Sequence, residues 1–275
     1  LTVGGVSSTA VLSRPAPEGV GPLLRRWRDQ RRLSQMELAL EAAVSTRHLS
    51  FVETGRSNPS RDMVVRLAEH LEVPLRERNE LLLAAGYAPA YPESDLDDEQ
   101  MGQVREVVQR LLAAHEPYPA VAVDRRWELL HGNAGLALMT AGVAAHLLEP
   151  PVNALRLSLH PEGMAPRIVN LAEWRGHLLG RLRREVAATQ DPQLASLLAE
   201  LSSYPGDDPD AGVELPGPGA IVVPLRLRSD AGELAFMSTV TTFGTPLDIT
   251  VSELSIEAFF PADDRTAGVL RALVG

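Results

Sequence analysis

The apolar and polar positions of residues 33–60 predict two short helices joined by a tight turn. Ser34, followed by Glu37 three residues later, forms a capping box that begins the first helix. Ser45 caps the second helix, and Gly55 ends it because glycine tolerates the left-handed conformation just past a helix end. Apolar residues recur on both helices at spacings that let the pair share one core, namely Leu38, Ala39, Ala42, Val44, Leu49 and Val52.

Three more helices complete this part of the chain. A helix over residues 21–32 has leucines and Trp27 on one face and arginines on the others. Ser60 caps another helix, and Pro74 begins a last one that Gly86 ends. The pattern therefore predicts an all-α domain of five helices.

Composition marks the predicted domain boundaries. Residues 1–20 are rich in Gly, Pro and Ser, which is typical of a flexible tail. Residues 89–98 combine turn-forming and acidic residues, which is typical of a linker. The five-helix domain is accordingly expected over residues 21–88 and a second domain over residues 99–275.

The second domain mixes helical and alternating patterns. A helix is predicted over Glu99–Glu116, followed by two short strands at Ala120–Val123 and Glu128–Gly132. Helical stretches follow, loosely over Ala134–Leu148 and strongly over Leu171–Leu201. β-Branched residues then predict three strands over residues 220–228, 233–243 and 247–260, with a last helix from Asp264. This order predicts an α+β domain with an antiparallel, PAS-like sheet.

The net charge of −10 is unevenly divided between the two domains. Residues 1–88 hold 12 basic against 10 acidic residues, residues 89–275 hold 14 against 26, and every basic residue is arginine. The acidic excess lies in the second domain, so only the first is expected to meet a phosphate backbone. A balance of +2 predicts weak binding by one copy, and we therefore expect a homodimer on adjacent half-sites.

Other classes of protein find little support in the sequence. The chain has no cysteine, which excludes disulfides and fits a reducing, cytoplasmic location. No stretch has the apolar length of a membrane span, and the first residues lack the pattern of a signal peptide. The seven histidines make no metal-binding spacing, and the GxSxG and GxxxxGK[ST] motifs are absent. We therefore expect no enzyme, no metal and no cofactor.

The central helix pair resembles the helix-turn-helix of the Xre/Cro/lambda-repressor-like family. The patterns LSQ-x-E-L-A and V-S-x-x-x-L-S-x-x-E-x-G-x-x-x-P-S occur at Leu33–Ala39 and Val44–Ser60. The resemblance covers roughly residues 21–85, and Ala43 departs from the glycine that the family often has in the turn. It implies binding of double-stranded DNA, with the helix after Ser45 in the major groove.

The candidate DNA contacts lie on and around that helix. Arg47 suits the bidentate pair with guanine, whereas Phe51 suits a thymine methyl or the protein core about equally. Gln35 is expected at a phosphate, with a plain surface position as the alternative. Glu53 would repel phosphate and is expected to hold another helix internally. The candidate set is Gln35, Ser45, Thr46, Arg47, His48, Phe51, Arg56 and Asn58.

The second domain resembles the ligand-binding domain of the MmyB-like regulators. The resemblance rests on Pro119–Val123, Trp127–Asn133, Asn153–Met164 and Ala172–Leu201. Where many members have an aromatic–tryptophan pair, this chain has SSYPGDDPDAGVELPG at residues 202–217, so the lining of its pocket is expected to differ. The resemblance implies an apolar, lipid-like effector such as a fatty acid.

Aromatic and polar side chains near the predicted sheet are the candidate ligand contacts, because a small molecule can lie between such a sheet and its helices. They are Trp127, His131, Asn133, Arg156, Trp174, Arg175 and His177. Each has a structural alternative. His131 is expected more often as a core histidine, and Trp174 as core filler whose N–H meets a carbonyl. Arg156 either grips a ligand carboxylate or forms an internal salt bridge.

These observations support a dimeric, sequence-specific DNA-binding regulator that responds to a small apolar effector. The alternative is a DNA-binding regulator whose second domain only dimerises or docks a protein partner. An enzyme targeted to DNA is the third hypothesis and has the least support. An apolar molecule that co-purifies with the protein would favour the first hypothesis.

Overall fold

The computed structural model describes residues 18–206 and 222–272. The chain divides into two compact units, Leu1–Ala90 and Tyr91–Gly275. Most of the predicted tail lies outside the described residues, as do the first two residues of the predicted third strand and most of the segment at residues 202–217. Within the described ranges, no helix is both long and apolar enough to cross a bilayer.

The first unit contains the five predicted helices. They are α1 (Val20–Gln30), α2 (Gln35–Glu41), α3 (Thr46–Glu53), α4 (Arg61–His70) and α5 (Leu75–Ala84). One apolar cluster joins them, with fully buried leucines contributed by all five helices, among them Leu24, Leu38, Leu49, Leu67 and Leu82. Burial of such side chains is the main source of stability for helices this short.

The backbones of α1 and α3 come very close at Gly21. A Cβ atom at this position would lie 2.3 Å from the carbonyl oxygen of Val52 and 2.9 Å from that of Glu53. No side chain fits that space without separating the helices. Gly21 therefore fixes how closely α1 packs on α3.

The turns of this unit use left-handed backbone conformations. Gly55 and Gly86 have φ angles of +70° and +83° just past the ends of α3 and α5, as their positions in the sequence predicted. Ala43, between α2 and α3, has a φ of +52° although it carries a Cβ atom. The conformation explains why glycine suits this turn and shows that alanine is tolerated there at a cost.

The second unit is an α+β domain. Its helices are α6 (Gly102–Ala114), α7 (Leu136–Thr140), α8 (Ala154–Leu159), α9 (Leu171–Thr189), α10 (Pro192–Ser203), α11 (Ile249–Glu253) and α12 (Asp264–Ala272). Its strands are β1 (Ala120–Val123), β2 (Leu129–Gly132), β3 (Leu225–Ser229), β4 (Gly232–Thr242) and β5 (Ser255–Pro261). Short 3-10 helices occur at Glu99–Met101, Ala145–Leu148 and Ala165–Arg167.

The five strands form one antiparallel sheet in the order β2-β1-β5-β4-β3, which confirms the PAS-like arrangement. Alternate residues of β1 enter different apolar clusters. In β1, Val121 and Val123 join a large cluster with α7 to α10, whereas Ala120 and Ala122 join a smaller one with α6. Helices therefore cover both faces of the sheet at β1, and the face carrying Val121 is the one where a ligand cavity is expected.

Three predicted elements are interrupted in the structure, and the strand predicted over residues 220–228 is observed as Leu225–Ser229. The strand predicted over residues 247–260 is divided into α11 and β5, because Asp248 accepts hydrogen bonds from the backbone N–H groups of Thr250 and Val251 and caps a helix. The helical stretch Leu171–Leu201 breaks at Gln190, whose φ is +55°. The loose stretch Ala134–Leu148 forms only α7 and a 3-10 turn.

Part of the predicted linker hydrogen-bonds with the sheet unit. The N–H of Ile249 donates to the carbonyl of Pro92, and the N–H of Ser94 donates to Asp248 Oδ2. The hydroxyl of Thr250 also donates to the carbonyl of Ser94. These bonds tie the residues just after Ala90 to α11, next to the strand β5.

Candidate DNA interface and ligand cavity

Local capping positions both helices of the helix-turn-helix. Ser34 Oγ accepts from the N–H of Glu37 at 3.2 Å, and Glu37 Oε2 accepts from the N–H of Ser34 at 2.7 Å. This confirms the predicted capping box, and the same bonds lower the pKa of Glu37. Ser45 Oγ accepts from the N–H of His48 at 3.1 Å and begins α3. The predicted cap roles of both serines are therefore confirmed.

A buried ion pair joins α3 to α1. Glu53, whose side chain is only 1% exposed, accepts from Arg28 Nε at 2.7 Å and from Arg28 Nη2 at 3.0 Å. The pairing with Glu53 raises the pKa of Arg28. Gln35 Nε2 donates to Glu53 Oε2 at 2.7 Å, so α2 is attached to the same carboxylate. The expectation that Glu53 holds another helix internally is confirmed. Because Glu53 is buried, its carboxylate is not on the outer surface of α3.

The predicted base-reading residues lie on the outer surface of α3. Thr46 and Arg47 are exposed, His48 and Phe51 are half-buried, and the hydroxyl of Ser45 is the helix cap. The guanidinium carbon of Arg47 lies 5.4 Å from the centre of the Phe51 ring, a cation–π contact between two residues of α3. Two further predicted contacts, Arg56 and Asn58, are exposed in the loop after α3, and the eighth, Gln35, is half-buried at the start of α2. Apart from Gln35, all of these side chains belong to residues 45–58, a segment that starts at the cap of α3.

A small cavity of about 50 Å³ lies between the sheet and the helices of the second unit. Its walls are mainly apolar, with Val121 and Phe259 from the sheet and Leu155 and Leu178 from α8 and α9. Ligand pockets usually measure about 300–1,000 Å³, so this cavity is smaller than a ligand of ordinary size needs. Two of the predicted ligand residues, the indoles of Trp127 and Trp174, line this cavity.

Both indole N–H groups are already hydrogen-bonded. Trp127 Nε1 donates to Glu185 Oε2 at 2.9 Å, and the guanidinium carbon of Arg181 lies 4.2 Å from its ring centre. Trp174 Nε1 donates to the hydroxyl of Ser158 at 2.9 Å. The expected carbonyl partner of Trp174 is therefore wrong, because a side chain on α8 takes that place. Both indole N–H groups therefore have partners within the protein.

The cavity also contains an acid that sequence reasoning missed. Glu257, on β5, lines the cavity, and burial raises its pKa above 4.5. Arg181 Nη1 lies 3.6 Å from Glu257 Oε1. The signal in the sequence is the alternation of β5, which puts Glu257 on the same face of the sheet as the buried Phe259.

Arg156 lines a different feature, a polar surface groove of about 540 Å³. Its Nε and Nη2 atoms donate to the two carboxylate oxygens of Glu200, each at 2.7 Å, across 44 residues of sequence. The internal salt bridge that was one of the two expectations for Arg156 is therefore present. The pair raises the pKa of Arg156 and lowers that of Glu200.

The remaining predicted ligand residues are not among the described residues that line the cavity. Asn133 donates to the carbonyls of Leu112 and Tyr118 and accepts from the N–H of Ala120, which occupies its amide with backbone groups. Arg175 donates to the carbonyls at the end of α10. His131 is half-buried on β2, and His177 stacks on the Trp174 ring with centroids 5.6 Å apart. Burial lowers the pKa of His177.

Within the described residues, the fold brings together three side chains of types that can bind a metal, although their spacing in the sequence did not indicate this. Nitrogen or oxygen atoms of His146, His160 and Glu162 lie within 4.8 Å of one another. Two of these side chains are exposed, and His160 Nδ1 accepts a hydrogen bond from the N–H of Glu162 at 3.0 Å. That bond occupies one ring nitrogen and fixes the proton of a neutral imidazole on the other, which disfavours a metal at this ring.

Comparisons with known proteins agree with this architecture. Residues 104–273 match the MmyB-like transcription regulator ligand-binding domain, and residues 20–81 match a helix-turn-helix domain. The chain is 30% identical over 112 residues to RghRB, an uncharacterised HTH-type transcriptional regulator of Bacillus subtilis, which covers 40% of this chain and 78% of that protein. The helix-turn-helix match covers α1 to α4 and most of α5, and the ligand-binding-domain match covers the five-stranded sheet and its helices. The chain belongs to the MmyB-like transcription regulators, and it is a DNA-binding regulator with a ligand-binding domain.

Proposed function

We propose that the protein binds a specific operator as a homodimer and that an apolar effector changes this binding. The observation that carries the proposal is the surface of α3. Arg47, Thr46 and His48 are presented outward there, while Glu53, the one acid of this helix, is neutralised inside the fold by Arg28. A surface with donors and a planar cation but no acid matches the acceptor-rich major groove.

Arg47 and Arg56 have different proposed roles, which one experiment separates. Full-length protein is used to select bound duplexes from random DNA, and affinities are then measured for the selected site and for its single-base variants. Arg47→Ala is expected to cost about 1–3 kcal/mol at one base position and to relax preference there. Arg56→Ala is expected to weaken all sequences about equally and to reduce the salt dependence of binding.

Arg110→Ala serves as the matched control. Arg110 is an exposed arginine on α6, paired with Glu106, so its removal changes the total charge equally without touching the helical unit. This control is expected to bind like the parent protein. Unchanged base preference in the Arg47→Ala variant would show that α3 does not read the operator as proposed.

Dimerisation is proposed because residues 1–88, which include the helical unit, have a net charge of only +2. One copy should therefore bind the phosphate backbone weakly, and two copies on two half-sites should bind more tightly. The selected operator should then be a palindrome whose half-sites lie about 34 Å apart or a multiple of that distance. Light scattering of the protein–operator complex counts the copies directly. A selected site without symmetry, bound by one copy, would contradict this part of the proposal.

The effector is proposed to bind between the sheet and the helices, where the lining is mainly apolar. Because the cavity measures about 50 Å³, the effector must bind a conformation of the domain in which the cavity is larger. A ligand that binds one of two conformations more tightly shifts the protein towards it, which is what regulation by a ligand requires. The same small volume favours a second candidate, in which the domain only dimerises or docks a protein. Native mass spectrometry of the purified protein separates the two, since a retained apolar molecule supports the effector and its absence under gentle conditions supports the second candidate.

A further inference from the structure

The chemistry of the cavity wall indicates which apolar molecules it accepts. Of the described residues that line the cavity, Glu257 is the one with an ionisable side chain. The other polar atoms at the wall belong to hydroxyls and to the two indoles, and the indole N–H groups are occupied by Glu185 and Ser158. A ligand head group that enters this space therefore meets a carboxyl group.

Glu257 shares its nearest cation with another acid. Arg181 Nε donates to Glu185 Oε1 at 3.2 Å, and the same guanidinium stacks on Trp127. Its Nη1 atom is 3.6 Å from Glu257 Oε1, which is beyond a good hydrogen bond. Two carboxyl groups thus face one arginine, which cannot pair fully with both.

The buried carboxyl group of Glu257 has few charged or hydrogen-bonding partners to offset its loss of contact with water. The side chain is 9% exposed, and besides Arg181 it has a hydrogen bond with the side chain of Ser238. Burial raises its pKa, and the nearby Glu185 acts in the same direction. A donor or a positive charge placed beside Glu257 would supply the missing partner, whereas a second carboxylate would add a like charge in a poorly solvated space.

We infer that the cavity selects apolar molecules that carry an ammonium or hydroxyl group and discriminates against free carboxylic acids. This inference rests on the proposed function, in which the cavity opens for an apolar effector. It replaces the fatty-acid-type effector that the family resemblance implied, because a fatty acid whose head group entered the cavity would place its carboxylate beside Glu257. The expected order of affinity is amine, then alcohol, then carboxylate.

Three probes of equal chain length test the inference on the full-length protein: dodecylamine, dodecanol and dodecanoate, each below its micelle concentration. Binding is followed by the fluorescence change of Trp127 and Trp174, which line the cavity, and checked by native mass spectrometry. Dodecylamine is expected to bind about tenfold or more tightly than dodecanoate at neutral pH.

Glu257→Gln is the decisive variant, since it removes the charge and keeps the shape of the side chain. It is expected to abolish the preference for the amine and to strengthen dodecanoate binding about tenfold. Glu106→Gln is the matched control, because Glu106 is an exposed acid on α6 and its loss changes the net charge equally. This control is expected to keep the order of the parent protein and so to exclude a general attraction of amines to an acidic protein.

The outcomes separate the inference from the proposed function. Tightest binding of dodecanoate to the parent protein overturns the inference and leaves the effector cavity in place. The parent protein alone decides this point, so the result stands even where Glu257→Gln does not fold. An unchanged order in a folded Glu257→Gln variant also overturns it. Failure of all three probes to bind the parent protein refutes the proposed effector cavity, and the inference with it.

Discussion

Replacement of Arg28 by alanine tests the buried node that joins α1, α2 and α3. The change removes both hydrogen bonds to Glu53 and leaves its carboxylate, which is 1% exposed, with Gln35 as a donor. Loss of one partner of a buried ion pair costs about 3–5 kcal/mol, because an uncompensated charge stays in the interior. This is a large part of the roughly 5–15 kcal/mol that stabilises a typical domain.

Thermal unfolding of the full-length protein, followed by circular dichroism at 222 nm, measures the effect. For a unit of this size, about 3 kcal/mol corresponds to a decrease in Tm of roughly 12 °C or more. Hydrogen exchange of peptides from residues 20–85 should show the same loss locally, while peptides from the sheet unit keep their protection. Arg26→Ala is the matched control, since Arg26 pairs with Glu18 at the surface and should cost at most about 1 kcal/mol.

The double replacement Arg28→Met with Glu53→Met checks the cause of this loss. With both charges removed, the interior contains no unpaired ion, so much of the stability should return. A double variant as unstable as Arg28→Ala would refute the reasoning, because the loss would then come from packing and not from the buried carboxylate. Stability of Arg28→Ala equal to that of Arg26→Ala would refute it as well.

Three further replacements test other parts of the structure by thermal and urea unfolding. Gly21→Ala should destabilise the helical unit by several kcal/mol and lower operator affinity, because its Cβ would lie 2.3 Å from the Val52 oxygen; unchanged affinity would contradict the close packing of α1 on α3. Asn133→Ala should cost about 2–4 kcal/mol through three lost hydrogen bonds, without changing the relative affinities of the three C12 probes; a changed order would assign Asn133 to the ligand. Glu257→Gln should raise Tm at pH 8, because burial disfavours the carboxylate charge that is well solvated in the unfolded chain; the gain should shrink as pH falls towards 4.5 and be absent below it, where glutamate is protonated in both states; the opposite trend would mean that Arg181 outweighs both burial and Glu185.

Local signals made most of the helical unit predictable. Ser34, Ser45 and Ser60 accept hydrogen bonds from backbone N–H groups three residues ahead, so each helix start depends on a few neighbouring residues. The strand Ala120–Val123 was also predicted with its observed bounds. Its four consecutive apolar residues are buried because both faces of the sheet are covered.

Interactions between distant residues account for what the sequence did not show. Arg156 alternates with leucines in the sequence, a pattern that does not indicate α8, whose start depends on a cap by Asn153. The ion pair between Arg156 and Glu200 joins residues 44 positions apart. The partners of the indoles, Glu185 and Ser158, lie on other helices. The strand pattern placed Glu257 on one face of β5 but could not show that an apolar cavity lies there, since the cavity exists only once α8 and α9 pack on the sheet.

The left-handed alanine between α2 and α3 has a practical consequence. Ala43 has a φ of +52°, a conformation that costs a residue with a Cβ atom about 1–2 kcal/mol, whereas glycine loses about 0.5–1 kcal/mol of backbone freedom on folding. Ala43→Gly therefore offers a route to a more heat-tolerant regulator. Ala43 lies outside the set of candidate DNA contacts. Its replacement should therefore raise thermal stability without changing which operator sequence the protein prefers.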